Sequence, residues 1–484
     1  MAAGTVNRIR ANALQDQYKW FKRLISKAAD TQFGKDHHFH EIKNHKDFSQ
    51  RVPLRDYEAL RVYIDKILNG EASVLWPGKP KYLAKTSGTT SGVKYIPITA
   101  DSLPNHIVST RTALLNFVHL KKQHSIFDGR VIFLSGSPKL DQKAGIPIGR
   151  LSGIVNHEIP FWLKGNQLPS FSTNCIEEWE EKLDKIVEET VHVDMRLISG
   201  IPPWVQMYYE SLIANSGKKT VKELFPNFSL FIYGGVNYEP YRNSLDALVG
   251  EEDHSLETYP ASEGFIAFQD SFPSEGLLLN TNSGIWFEFV PLEDMNQSEP
   301  RRLSLEDVRT GVDYAVIINN NAGLWGYNIG DTVRFVSTDP YRVVVSGRVK
   351  HFISAFGEHV IGKEVESAMQ ATLLEHPAEI VEFTVAPQIT PPEGGLPYHE
   401  WFIEFSSPPN DLLAFSAKLD REMVNQNIYY ADLIQGKILR PLVVTSLKPD
   451  SFRLFMKKEG KLGGQNKVPR LMNDRKIADI LKAL

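Results

Sequence analysis

The sequence predicts an α/β protein, and three patterns along its 484 residues carry that prediction. Between residues 131 and 235, short apolar runs ending in glycine alternate with stretches of helical period. From 276 to 346 short apolar runs follow one another with no helical stretch between them. Beyond about 348 helices and strands mix again. A short apolar run bounded by turn residues suits a buried strand. Strands that alternate with helices build layers around a largely parallel sheet, whereas strands in direct succession build a barrel or a meander.

Taken in order, residues 6–28 read as an amphipathic helix whose apolar positions are Val6, Ile9, Leu14, Tyr18, Phe21, Leu24, Ile25 and Ala28. A second helix is expected from about Asp56 to Leu68, closed by Asn69-Gly70. Tyr82-Leu83-Ala84 is a short strand leading into a hydroxyl-rich loop. Three buried strands follow, at Val131–Gly136, Met195–Gly200 and Leu230–Gly235, with helices at Glu177–Val191 and Pro203–Ala214 between them. Ligands of such sheets gather outside the carboxyl ends of the strands, where these three runs place their glycines. The successive strands are Leu277–Leu279, Ile285–Val290, Ala315–Ile318, Val333–Phe335 and Arg342–Val345. The tail adds strands at Glu382–Ala386 and Glu400–Phe405 around a Pro391–Gly395 loop, and the change of composition at Gly347 sets the domain boundary, 1–347 and 348–484.

Composition bounds the function. A net charge of −4 with no block of Lys or Arg gives no footprint for nucleic acid. No stretch approaches the length of a membrane span and the N-terminus lacks a signal-peptide core, so no membrane partner is expected. One cysteine, Cys175, excludes an intrachain disulfide framework and fits a reducing, cytoplasmic location.

The chemistry concentrates in a few stretches. Thr86-Ser87-Gly88-Thr89-Thr90-Ser91-Gly92-Val93-Lys94 interleaves hydroxyls and glycines ahead of a lysine. Glycines bring backbone N–H groups close to an anion, hydroxyls add rotatable donors, and lysine adds a movable charge, a set that suits a polyphosphate. It is not a Walker loop, because Val93 separates Gly92 from Lys94 and Tyr95 follows. The same stretch also reads as an ordinary Ser/Thr/Gly surface loop. Gly234-Gly235, at a strand exit, lets a flat ring approach the backbone or simply makes a strand-to-helix turn. Tyr259-Pro260-Ala261-Ser262-Glu263-Gly264 offers a stacking ring, a hydroxyl and a carboxylate able to hold Mg²⁺, or a loop with a solvated Glu. Tyr327-Asn328-Ile329-Gly330-Asp331 puts a carboxylate at the start of a strand, where it can accept two hydroxyls or close a hairpin turn. Ser346-Gly347-Arg348-Val349-Lys350 and Gly357-Glu358 mark the boundary.

In order and spacing these motifs resemble the core motifs of the adenylate-forming acyl ligases. Within that superfamily the chain is similar to the auxin-responsive acyl-acid–amido synthetases, the Gretchen Hagen family, and most resembles its shorter, non-plant members. The resemblance runs over nearly the whole chain. It includes Leu75-Trp76-Pro77-Gly78, Ser354-Ala355-Phe356-Gly357-Glu358, His399–Phe405 and Gly460–Arg470, and departs at Thr86, where serine is commoner, and at Lys350, where many members carry aspartate.

The resemblance implies a large N-terminal domain of layered α/β sheets plus a β-barrel, with a small mobile C-terminal α+β domain. It implies that Thr86, Ser87, Gly88, Thr89 and Thr90 hold the β- and γ-phosphates of ATP, with Lys94 beside them. Gly234, Gly235 and Tyr259 would receive adenine, Ser262 the α-phosphate and Glu263 the Mg²⁺. Asp331 would take the ribose with Arg348 nearby, and Lys467 would reach the α-phosphate from the C-terminal domain. The implied reaction activates a small carboxylic acid as acyl-adenylate and joins it to an amino acid. An acyl-CoA ligase shares the first step, and a nucleotide-binding regulatory protein shares the motifs alone.

Overall fold

The computed structural model describes residues 2–89, 92–159, 164–235, 238, 241–251, 255–295, 297–348, 352–358, 360–459 and 468–484. It forms two compact units. The first comprises Met1–Thr86, Lys94–Ile176 and Leu183–Val349; the second comprises Ser87–Val93, Glu177–Lys182 and Lys350–Leu484.

The first unit opens with a helix, Ala2–Ala28, interrupted by non-helical angles at Asn12. The buried stripe runs on through that break, by way of Ile9, Ala13, Gln17, Phe21, Leu24 and Ala28. Leu14 and Tyr18, which the periodicity placed on the apolar side, are exposed, and Gln17 is buried instead. The Gln17 amide donates to the carbonyls of Thr281 and Ile285 and accepts from the N–H of Phe287, so a polar side chain ties the helix to the sheet. The helix Tyr57–Leu68 begins as expected, with the Asp56 carboxylate accepting the Ala59 N–H at 3.1 Å.

Strands β1 (Tyr82–Thr89) and β2 (Gly92–Ile98) carry most of the hydroxyl-rich stretch. What the sequence presented as a loop is therefore largely strand. With β4 (Asp141–Lys143) and β5 (Ile146–Gly149) they form a small sheet ordered β2-β1-β5-β4.

The main sheet has eleven strands. Its parallel half is β3 (Arg130–Phe133), β6 (Gln167–Leu168), β7 (Met195–Ser199), β8 (Leu230–Gly234) and β9 (Ser255–Ala261). Its antiparallel half is β10 (Gly264–Gln269), β11 (Leu277–Leu279), β12 (Ile285–Pro291), β13 (Asp313–Asn320), β14 (Tyr327–Thr338) and β15 (Tyr341–Arg348). The order is β12-β13-β14-β15-β11-β10-β9-β8-β7-β3-β6, so the meander and the parallel strands are one continuous ladder.

That ladder curls. Strands β9 and β14 lie four places apart in the order, about 19 Å in a flat sheet at the usual strand spacing. Yet the Tyr259 hydroxyl of β9 is 2.6 Å from the Asp331 carboxylate of β14. At the rim, a Cβ added to Gly264 on β10 would stand 2.6 Å from Ile285 Cδ1 on β12, so side chains close the curled meander on itself. Inside lies an apolar cluster that includes Phe287, Phe289, Tyr314, Trp325, Tyr327 and Phe335.

An ion network is buried in this core. Glu288 on β12 is completely covered and accepts from His45 Nε2 at 2.8 Å, Arg302 Nε at 2.9 Å and Asn319 Nδ2 at 2.9 Å. Burial would raise the Glu288 pKa, but the charges and hydrogen bonds of Arg302 and His45 outweigh it and hold the carboxyl at about 2.

Within the second unit, β18 (Glu379–Gln388), β19 (Tyr398–Ser407) and β20 (Val443–Ser446) make a three-stranded sheet; two short strands, β16 (Phe352–Ile353) and β17 (Val360–Ile361), pair nearby in sequence. Helices Gly362–Glu375, Leu412–Gln426 and Lys476–Ala483 accompany them. Phe402, Phe452, Phe455 and Leu481 are among its core residues, and a buried His399–Glu358 pair, 2.8 Å apart, anchors the Ser354–Glu358 turn.

The Glu288 network makes a prediction with a sign. A carboxyl held below its ordinary value of 4.5 contributes stability that is fully present above about pH 4.5 and is lost as pH falls towards about 2. Glu288→Gln leaves the Arg302 charge buried and should cost about 3 kcal/mol at neutral pH. In thermal unfolding scans the gap between wild type and variant should be widest near neutral pH and narrow between pH 4.5 and 2. A gap independent of pH would show that the charge of Glu288 contributes nothing.

Candidate active site

Strands β8, β9, β10 and β14 of the first unit carry or flank the motif residues from Gly234 to Asp331. Gly234 closes β8, where a Cβ would stand 2.3 Å from the Thr258 carbonyl, so only glycine lets β8 and β9 pair this closely. Gly235 follows at φ +78°, turning the chain out of the sheet. Tyr259 is on the neighbouring β9, one residue past Thr258, whose hydroxyl donates to the Tyr233 carbonyl at 2.8 Å.

Ser262 and Glu263 are the two residues of the tight turn joining β9 to β10, with Ala261 paired to Gly264. Both are half-buried. The Glu263 carbonyl accepts from Asn320 Nδ2 at 2.8 Å, and its carboxylate lies 3.5 Å from the Tyr327 hydroxyl. Tyr327 itself is fully buried; burial first, and then the nearby Glu263, Tyr57 and Asp56, raise its pKa well above the ordinary value.

Asp331 lies inside β14, not at the strand's start as the sequence suggested. The pairing of β13 with β14 passes from Ala315–Thr332 to Ile317–Asn328, so β14 carries extra residues there. Gly330, at φ +90°, occupies this bulge and donates its N–H to Asn328 Oδ1 at 2.8 Å. A bulge re-aims the side chain beside it. Here that side chain is Asp331, 8% exposed, which accepts the Tyr259 hydroxyl.

Lys94 and Tyr95 are reached through Tyr57. Segment 55–57 runs beside 326–328, the Arg55 N–H donating to the Gly326 carbonyl and the Arg55 carbonyl accepting the Asn328 N–H, which brings Tyr57 towards Tyr327. The Tyr57 hydroxyl accepts the Tyr95 N–H at 2.9 Å, and its ring lies 6.0 Å from Lys94 Nζ. Burial pushes the Tyr57 hydroxyl up to about 12, so it stays protonated. Thr86 is half-buried on β1.

The structure thus brings Gly234, Gly235, Tyr259, Ser262, Glu263 and Asp331 to the same end of the curled sheet, with Lys94 joined to it through Tyr57. Arg348 is opposite Asp331 in the β14–β15 ladder, but its side chain is outside the described part, as are those of Ser87 and Thr89; Gly88 is described as β1 backbone. Thr90 and Lys467, and the expected hinge at Lys350, lie outside the described residues.

Sequence reasoning missed Asn319, Asn320 and Tyr57. The run Asn319-Asn320-Asn321 after an apolar strand looks like turn residues. Instead Asn320 Oδ1 accepts the N–H groups of Ala322 and Leu324, both at 3.0 Å, while its amide holds Glu263. Asn319 Oδ1 accepts the Gly326 N–H at 2.6 Å, while its amide holds Glu288.

Family models match three parts of the chain: the GH3 family N-terminal domain at residues 3–175, the central domain at 278–348 and the C-terminal domain at 363–476. The chain belongs to the GH3 family. Among GH3 relatives, a jasmonoyl–L-amino acid synthetase of Nicotiana attenuata is 22% identical over 95% of this chain and 91% of its own. An indole-3-acetic acid-amido synthetase of Arabidopsis thaliana is 21% identical over 96% and 90%. The solved GH3.15 acyl acid amido synthetase superposes with a TM-score of 0.62 at 17% identity, over 99% of this chain and 95% of that one, a likeness of fold. Among the described residues, no helix is long and apolar enough to cross a membrane.

Asn320→Ala tests the frame directly. It should release the amides of Ala322 and Leu324, raising their hydrogen exchange by at least tenfold, while amides in the middle of β13 keep their protection. Unchanged exchange at both positions would remove Asn320 from its role.

Proposed function

We propose that this chain is an ATP-dependent acyl acid–amido synthetase. It activates a small carboxylic acid as its acyl-adenylate and joins the acyl group to an amino acid, releasing pyrophosphate and AMP. The observation that carries the reading is the convergence of Tyr259, Glu263, Tyr327 and Asp331, tied by hydrogen bonds across more than sixty residues of sequence. The amido synthetase names of its GH3 relatives supply the reaction class.

In the first step a carboxylate oxygen attacks the α-phosphorus, forming the acyl–phosphate bond as the bond to pyrophosphate breaks. In the second, the amine attacks the acyl carbon, loses a proton and displaces AMP. Bringing two anions together makes charge the main obstacle, so preorganised positive groups matter most. Thr86 to Thr90 hold the β- and γ-phosphates, with Lys94 supplying charge beside them. Gly234-Gly235 and the Tyr259 ring receive adenine, Ser262 contacts the α-phosphate, and Asp331 accepts the ribose hydroxyls with Arg348 at hand. Lys467 approaches the α-phosphate from the C-terminal unit, which turns about Lys350 between half-reactions.

Glu263 suits Mg²⁺. It is a half-buried carboxylate with no group of three or more acidic, His or Cys ligands around it among the described residues, and Mg²⁺ takes one or two carboxylates and shares phosphate oxygens. Bound there, the ion would neutralise charge on the leaving pyrophosphate. A cytoplasmic setting fits the single cysteine.

The test is a panel of carboxylic acids assayed for AMP release with amino acids or with coenzyme A, the products identified by mass. Amide products with amino acids support the proposal. Thioester products alone would make the chain an acyl-CoA ligase, and no acid-dependent AMP with any pair would leave it a nucleotide binder.

Lys467→Ala separates the two half-reactions. Truncating a flexible cation that acts mainly in the transition state should lower pyrophosphate exchange about a hundredfold while ATP affinity changes little. Amide formation from synthetic acyl-adenylate should persist. Loss of both rates together would assign Lys467 a structural role.

A further inference from the structure

Tyr259 is more than a ring at the end of β9. Its hydroxyl donates to Asp331 Oδ2 at 2.6 Å, within the range of a hydrogen bond to an ionised carboxylate. Both residues are nearly buried, at 6% and 8% exposed. The contact exists because the sheet curls far enough to bring β9 onto β14 and because the bulge at Gly330 interrupts the pairing of β14 with β13 beside Asp331.

We propose that Tyr259 is a positioning residue for sugar recognition, its hydroxyl fixing the plane of the Asp331 carboxylate so that base and ribose are read as one unit. The inference rests on the reading above that Asp331 accepts the ribose hydroxyls. Rotation of an aspartate about χ2 is broad, so the direction of its oxygens has to be set by a partner. A carboxylate offers about four acceptor directions, and the tyrosine takes one, orienting the others. Two adjacent ribose hydroxyls need two acceptors at a set spacing, a demand that a freely rotating carboxylate meets only part of the time. Phenylalanine would preserve the ring for stacking and remove this bond to the carboxylate.

The experiment compares ATP with 2′-deoxy-ATP and 3′-deoxy-ATP in pyrophosphate exchange, for wild type, Tyr259→Phe and Asp331→Ala. A site built to bond a hydroxyl rejects the analogue lacking it, so wild type should prefer ATP in kcat/KM by tenfold or more. Tyr259→Phe should lose most of that preference, with KM for ATP rising about tenfold and kcat changing less than threefold. Asp331→Ala should lose the preference altogether.

Should Asp331→Ala lose it while Tyr259→Phe keeps the wild-type ratio, the ribose role of Asp331 stands and the positioning role of Tyr259 is overturned. An equal rise in KM for all three nucleotides in Tyr259→Phe overturns it too, since that is the signature of weakened stacking. If Asp331→Ala retains the wild-type ratio, both readings fall.

Discussion

Two adjacent asparagines at the end of β13 hold the site together. Neighbouring residues of a strand point to opposite faces. Asn319 therefore reaches the Glu288–Arg302–His45 network on one side and Asn320 reaches the Ser262-Glu263 turn on the other. Each also accepts backbone N–H groups of the connection that follows, Asn319 from Gly326 and Asn320 from Ala322 and Leu324. These bonds act together with the β13–β14 pairing and the Arg55 segment to fix where β14 begins and so to place Tyr327 against Glu263. The buried charge below and the candidate site above share one short stretch of backbone.

Sheet curvature extends the same logic. Motif residues on β14 are far along the ladder from those on β8 and β9, and hydrogen bonding between strands alone would leave them on a broad surface. Curling brings Asp331 to Tyr259 and Ile285 to Gly264, with Gly264 lacking the Cβ that would block the approach. Several glycines of the site therefore serve close packing or an unusual angle, as Gly234 and Gly330 do, and not flexibility.

Much of this was legible in the sequence. The apolar runs between 131 and 235 became β3, β7 and β8 and those between 276 and 346 became β11 to β15, while β6, β9 and β10 were not among the expected strands. Of the motif residues, Tyr259 meets Asp331 and Glu263 meets Tyr327. Apolar character misled at two positions of the first helix, because Leu14 and Tyr18 each lie one residue past the buried stripe, whose places there are taken by Ala13 and the polar Gln17. The hydroxyl-rich stretch looked like a loop because Ser, Thr and Gly mark turns, yet pairing with its neighbours made it strand. Asn320 and Tyr57 carried no signal, since what they do depends on partners distant in the chain.

The central claim is that a carboxylate oxygen of the substrate attacks the α-phosphorus of ATP at this site. An acid carrying ¹⁸O in both carboxylate oxygens, turned over with ATP and its amine, tests it most directly. If acyl-adenylate forms, the bridging oxygen stays with the phosphate when the amine displaces it, so AMP leaves with one ¹⁸O and pyrophosphate with none. Label in inorganic phosphate, accompanied by ADP, would mean attack at the γ-phosphorus and would contradict the account.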